Sequence, residues 1–96
     1  MIPTADPVRA RILVSGRVQG VGYRAFALRV ATSKALLGTV CNLDDGRVEL
    51  EVEGAKDRID ALVEELRVGP PASRVSDVQV EWGSATGRFG DFRVRY

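Results

Sequence analysis

The sequence predicts an α+β sandwich with the element order βαββαβ, in which two helices cover one face of an antiparallel sheet. Three observations predict it. Apolar residues alternate with a two-residue period near residues 8–15 and 48–53; two segments carry a single helical apolar stripe; and an Asp-Asp-Gly turn joins two of the strands.

Val8, Ala10, Ile12 and Val14 alternate with Arg9, Arg11, Leu13 and Ser15, the pattern of a half-buried strand. Tyr23, Phe26, Ala27, Val30 and Ala31 then fall on one face of a helix that runs to about Lys34. Leu37 to Leu43 is rich enough in branched residues for a second strand. In the third, Val48, Leu50 and Val52 alternate with Glu49, Glu51 and Glu53. Ala55, Ile59, Leu62, Val63 and Leu66 stripe a second helix, which Gly69-Pro70-Pro71 stops because proline lacks the amide a continuing helix needs. Val78, Val80 and Trp82 mark a fourth strand, and Phe92, Val94 and Tyr96 a short extra one at the carboxyl end. This is the ferredoxin-like plan: the first and second strands run the same way with the third antiparallel between them, so the glycine segment after the first strand and the region of Asn42 become neighbours.

Ninety-six residues suit one core, and residues 1–7 read as a tail before a single domain at 8–96. Fourteen basic and thirteen acidic side chains leave a net charge of +1, so nothing global draws the chain to nucleic acid or an anionic membrane. With no histidine and one cysteine, Cys41, an internal disulfide, a Cys/His metal site and a histidine-activated nucleophile are all excluded. Arg9 and Arg11 interrupt any signal-peptide core. A soluble cytoplasmic monomer without metal or cofactor is expected.

The segment SGRVQGVGYR, residues 15–24, holds three glycines and two arginines and no carboxylate. Gly16, Gly20 and Gly22 allow a curved backbone whose N–H groups converge, and the helix that follows begins there with its own unpaired donors. Such a nest suits an anion, and Arg24 in the first helical turn adds a two-pronged contact to a phosphate or carboxylate. Arg17 has an ordinary surface reading, since twelve of the fourteen basic residues are arginine.

Two hairpin registers are open for Asn42. A two-residue Asp45-Gly46 loop would put its side chain on the solvent face with Glu49; a three-residue Asp44-Asp45-Gly46 loop with left-handed Gly46 pairs Asn42 with Val48 and turns the amide toward the core. The second is preferred, because it gathers Val40 with Val48, Leu50 and Val52.

With these residues in hand, GRVQGVGYR, its helix, VCNLDDGRVELEVEG and GPP together resemble the acylphosphatase family over nearly the whole chain after the tail. The resemblance implies hydrolysis of the carboxyl-phosphate bond of acyl phosphates to a carboxylate and inorganic phosphate. It implies that the backbone amides of Val18, Gln19, Gly20, Val21 and Gly22 and the guanidinium of Arg24 hold the phosphate, and that Asn42 orients the attacking water. Thr39 stands where the family commonly has tryptophan and Cys41 where it commonly has arginine, departures expected to alter the rim near the acyl end. Tyr23 replaces the more frequent phenylalanine with no consequence expected. A chain ending at Tyr96 is expected to be free-standing, unlike the similar domain at the front of larger hydrogenase-maturation proteins.

The chemistry agrees with the residue list. The leaving carboxylate has a conjugate acid of pKa near ~4, so it departs unprotonated at neutral pH and no histidine is needed. What remains is charge stabilisation on the phosphoryl oxygens and an in-line water, tasks suited to amides, a guanidinium and a carboxamide. The water's proton goes either to the substrate's phosphate oxygen or to Asp44 or Asp45. The spacing of Cys41 and Arg47 mimics that of cysteine phosphatases, but the aspartates between them would repel the anion. RNA binding on the sheet is disfavoured because Glu49, Glu51 and Glu53 occupy its exposed face. The competing reading is a non-catalytic or regulatory domain that binds phosphate at the same loop.

Overall fold

The computed structural model describes residues 6–96, so most of the expected tail lies outside the described residues. The elements are β1 (Val8–Arg17), α1 (Tyr23–Ser33), β2 (Leu37–Asn42), β3 (Val48–Gly54), α2 (Lys56–Val68), β4 (Arg74–Ser84) and β5 (Phe92–Val94). They form one sheet in the order β4-β1-β3-β2-β5. β1 is antiparallel to both β3 and β4, and β2 is antiparallel to β3, as the sequence implied. β5 joins β2 in parallel, which makes the five-stranded sheet mixed.

Both helices pack on one face. Ala10, Ile12, Val14, Val40, Val48, Leu50 and Val52 point from the sheet into this layer and are fully buried against Tyr23, Ala27 and Ala31 of α1 and Ile59, Leu62 and Leu66 of α2. Burying each of the larger aliphatic side chains contributes about 1.5–3 kcal/mol. The hydroxyl of buried Tyr23 donates to the carbonyl of Leu66 at 2.6 Å. That carbonyl belongs to the last turn of α2 and has no partner within the helix, so the hydroxyl ties the start of α1 to the end of α2. The expectation that tyrosine here is without consequence is therefore corrected.

The opposite face is polar but less open than the alternation implies. Arg9 pairs with Glu51 at 3.1 Å and Arg11 with Glu49 at 2.7 Å. The residues directly opposite are Glu53 and Glu51, so each arginine reaches one position diagonally. Glu49 and Glu53, expected on an exposed face, are buried there. Glu53 accepts from the Thr86 N–H at 3.0 Å, the Thr86 hydroxyl at 2.6 Å and the Gly87 N–H at 3.0 Å. Residues 86–88 thus fold over the face, and Arg88 also contacts Glu51. Leu13, expected to face outward, is buried on the same side. Its cross-strand partners are Glu49 and Gln79.

Candidate active site

The strand-to-helix connection after β1 depends on two glycines. Gly20 (φ +74°) and Gly22 (φ +78°) are left-handed, and open space lies where each would carry a Cβ. Backbone conformation, not crowding, demands glycine at both. Gly16 serves a different purpose from the nest expected of it. It lies inside β1 at the irregularity where Ser15 pairs with Asp77 and Gly16 with Val75, and a Cβ there would stand 2.1 Å from the Arg74 carbonyl oxygen. Its requirement is close approach of β4.

Gly22 is the N-cap of α1, which has no side-chain cap and no acidic residue in its first turn. The first bond into the helix runs from the Phe26 N–H to the Gly22 carbonyl at 3.1 Å. Among the described residues, the N–H groups from Val18 to Ala25 find no acceptor. A set of free donors at a helix start, with the positive end of the helix dipole behind them, favours an anion.

The hairpin supplies the second half of the site. Leu43 N–H donates to the Arg47 carbonyl at 2.8 Å, Gly46 has φ +95°, and Asn42 pairs with Val48 and Val40 with Leu50. The three-residue loop is the one formed, and it turns Asn42 to the helix side. Asn42 Oδ1 is buried and has no hydrogen-bond partner among the described residues. An acceptor left unpaired in this way costs about 1–3 kcal/mol unless a ligand or water donates to it. Gln19 joins the two halves: its side-chain amide donates to the carbonyls of Leu43 at 2.8 Å and Arg47 at 2.9 Å.

Between them lies a cleft of about 340 Å³. Val18, Gly20, Gly22, Arg24 and Asn42 line it. Gln19 and Val21 do not: Gln19 reaches the hairpin, and Val21 packs on the core. Arg24 is half-buried, forms no ion pair with a carboxylate among the described residues, and has its guanidinium carbon 5.0 Å from the centre of the Tyr96 ring. Tyr23, Ala25, Leu28, Val94 and Tyr96 complete the lining, and sequence reasoning had assigned none of the last three to the site. The available signals were the four-residue step from Arg24 to Leu28 and the two-residue step from Val94 to Tyr96.

Residues 10–94 match the family model for acylphosphatase. The chain belongs to the acylphosphatase family. An acylphosphatase from Anaeromyxobacter sp. (strain Fw109-5) is 51% identical over 92 residues, covering 96% of this chain and 99% of the relative. The crystal structure of acylphosphatase from Bacillus subtilis superposes with a TM-score of 0.90 at 39% identity, over 93% of this chain and 99% of that one. The structure of an acylphosphatase from Coxiella burnetii gives 0.87 at 40% identity, over 94% of each.

Two expectations drawn from the acylphosphatase pattern need correction on geometry. Thr39 and Cys41 flank Val40 and Asn42 in β2, so their side chains project to the sheet face opposite the cleft, and neither lines it. Cys41 is buried there, with Arg95 Nη2 3.2 Å from its sulfur, and burial pushes its thiol pKa up. A thiol so placed is neither a rim residue nor a nucleophile for the cleft.

Proposed function

We propose that this acylphosphatase-family chain hydrolyses small acyl phosphates, with Arg24 as phosphate clamp, the loop amides from Val18 to Gly22 as cradle and Asn42 as water-positioner. The observation that carries the reading is the meeting of three complementary groups in one cleft: free amides at a helix start, a guanidinium without an acid partner, and an unpartnered carboxamide oxygen.

In this reading the phosphoryl oxygens accept from the loop amides and from the two prongs of Arg24, which stabilise charge as it develops. Asn42 Oδ1 accepts one hydrogen of a water and so aims its oxygen at phosphorus. The new P–O bond forms as the bond from phosphorus to the carboxyl oxygen breaks, giving a carboxylate and inorganic phosphate. Asp45 is engaged by Arg47 at 2.8 Å, and hydrogen bonds from the Arg47 side chain and N–H lower its pKa. Neither Asp44 nor Asp45 lines the cleft, which supports proton transfer to the substrate's own phosphate oxygen.

The proposal extends to a cytoplasmic monomer with no nucleic-acid partner, comprising a domain at 8–96 after a tail at 1–7. Among the described residues no helix is long and apolar enough to cross a membrane. Acetyl phosphate hydrolysis by the purified chain, with chelator present, tests the central claim. Turnover that Arg24→Ala abolishes is the expected result; phosphate binding without turnover would instead favour a non-catalytic anion-binding domain.

A further inference from the structure

We propose that the free edge of β4 is a docking site for an extended segment of a partner protein, which adds a strand carrying basic side chains on one face and apolar ones on the other. β4 is eleven residues long and lies at one end of the sheet, paired with β1 alone. The opposite edge, β5, has three residues. Edge strands are ordinarily blunted by lysine, proline or a bulge. β4 has neither lysine nor proline, and its one irregularity, beside Gly16, leaves unbroken register from Asp77 to Ser84. Among the described residues the backbone groups of β4 that point away from β1 meet no partner. They offer a row of hydrogen bonds to an incoming backbone.

Side chains decide what that backbone must carry. On the polar face Asp77 and Glu81 are exposed and stand four residues apart, about 14 Å along the strand. Asp77 forms no ion pair among the described residues. Glu81 has only a 3.8 Å approach to Arg11, which Glu49 holds more closely at 2.7 Å. On the other face Val80 is half-buried and Trp82 is 44% exposed, and both line a groove of about 490 Å³ between β4 and α2. The acids of that groove are already answered, Asp60 by Lys56 at 3.0 Å and Glu64 by Arg67 at 3.7 Å.

Positive charge is therefore wanted on the polar side, and apolar side chains on the groove side. Residues directly opposite in a ladder share a face, so the segment that fits reads basic, apolar, any, apolar, basic. A second copy of this chain fits less well. Pairing β4 with its own counterpart, with Val80 and Trp82 kept on the groove side, would line one seam with Asp77 and Glu81 from both copies, where like charges repel.

The test uses Trp82, the single tryptophan of the chain, whose fluorescence reads occupancy of the edge. The chain is titrated with the end-blocked peptide TKVTVKVT and with its charge-inverted counterpart TEVTVEVT. We expect saturable binding of the basic peptide, weakened by added salt, and binding of the acidic one at least about tenfold weaker. The double variant Asp77→Lys, Glu81→Lys should reverse that order, with circular dichroism checking its fold. Hydrogen exchange should slow at the outward amides of β4 and not at those of β5. No binding, equal binding of the two peptides, or slowed exchange only elsewhere overturns the proposal, and the unmodified chain decides it even if the variant misfolds. A dimer formed through β4 that the basic peptide fails to dissociate would give the edge to a second copy and overturn it as well.

Discussion

The side-chain amide of Gln19 donates to the carbonyl of Leu43 at 2.8 Å, binding the loop that carries the free amides to the hairpin that carries Asn42. A second bond, to the Arg47 carbonyl at 2.9 Å, uses the other amide hydrogen. No other side-chain hydrogen bond among the described residues joins this loop to the hairpin. Gln19 therefore ties together the two segments to which the proposal assigns the phosphate cradle and the water-positioner.

Gln19→Ala is expected to lower kcat for acetyl phosphate roughly tenfold, with KM less affected, because the cradle stays intact while its alignment with Asn42 loosens. Steady-state kinetics check this. Global stability should fall by only about 1 kcal/mol, since the Arg47 carbonyl keeps its bond from Leu43 N–H. A uniform loss tracking unfolding would remove the positioning role.

Arg24→Ala should reduce kcat/KM for acetyl phosphate by on the order of 10³-fold, and Arg24→Lys should recover little of it. An ammonium keeps the charge but presents no planar fork to two phosphoryl oxygens. Full activity in the lysine variant would show that charge alone matters.

Asn42→Ala removes the unpartnered oxygen and should depress turnover far more than binding of inorganic phosphate, by roughly 10²-fold against less than about threefold. Phosphate titration alongside turnover separates the two. Weaker phosphate binding with turnover intact would mean that Asn42 holds the anion and not the water.

Tyr23→Phe leaves the buried Leu66 carbonyl without its donor and is expected to cost about 1–2 kcal/mol of folding stability. Urea denaturation measures it. Turnover should change little, because the hydroxyl points to α2 and away from the cleft.

A pH dependence follows from Glu53. Burial pushes its pKa up, but the hydrogen bonds from the Thr86 hydroxyl and N–H and from Gly87 N–H outweigh that and leave it lowered. A carboxylate with a depressed folded pKa contributes stability above its unfolded pKa, about 4.3, and loses it as pH falls through the folded value. Stability should thus decline below about pH 4 with a component that Glu53→Gln removes. Unfolding curves of both chains between neutral and acidic pH would show it, and identical slopes would refute it.

How much of this was legible depended on whether local pattern or tertiary placement decides the matter. Alternation at Val8–Val14 and Val48–Val52 marked two strands because each has a helix-covered face, and Asp44-Asp45-Gly46 set the register that turns Asn42 inward. The polar face was misread at Leu13, Glu49 and Glu53; Glu49 meets distant Arg11 and Arg95, and Glu53 meets Thr86 and Gly87, contacts invisible to a local period. β5 has three residues, too few to announce that it would pair in parallel with β2. At the site, the glycines and Arg24 were legible from chemistry. The second role of Gln19 was not, since an amide in a loop carries no mark of the carbonyls it will meet.

The place of β1 in the sheet bears on how the chain is made. Val8 pairs with Gly54 on one side and with Ser84 on the other, so the first strand to be synthesised acquires both neighbours late. Closing loops of that span precedes any reward from pairing, which slows folding relative to a helical domain of equal size. A nascent chain halted before residue 74 would present one whole edge of β1 to the cell, a template for unwanted strand addition that only completion of β4 withdraws.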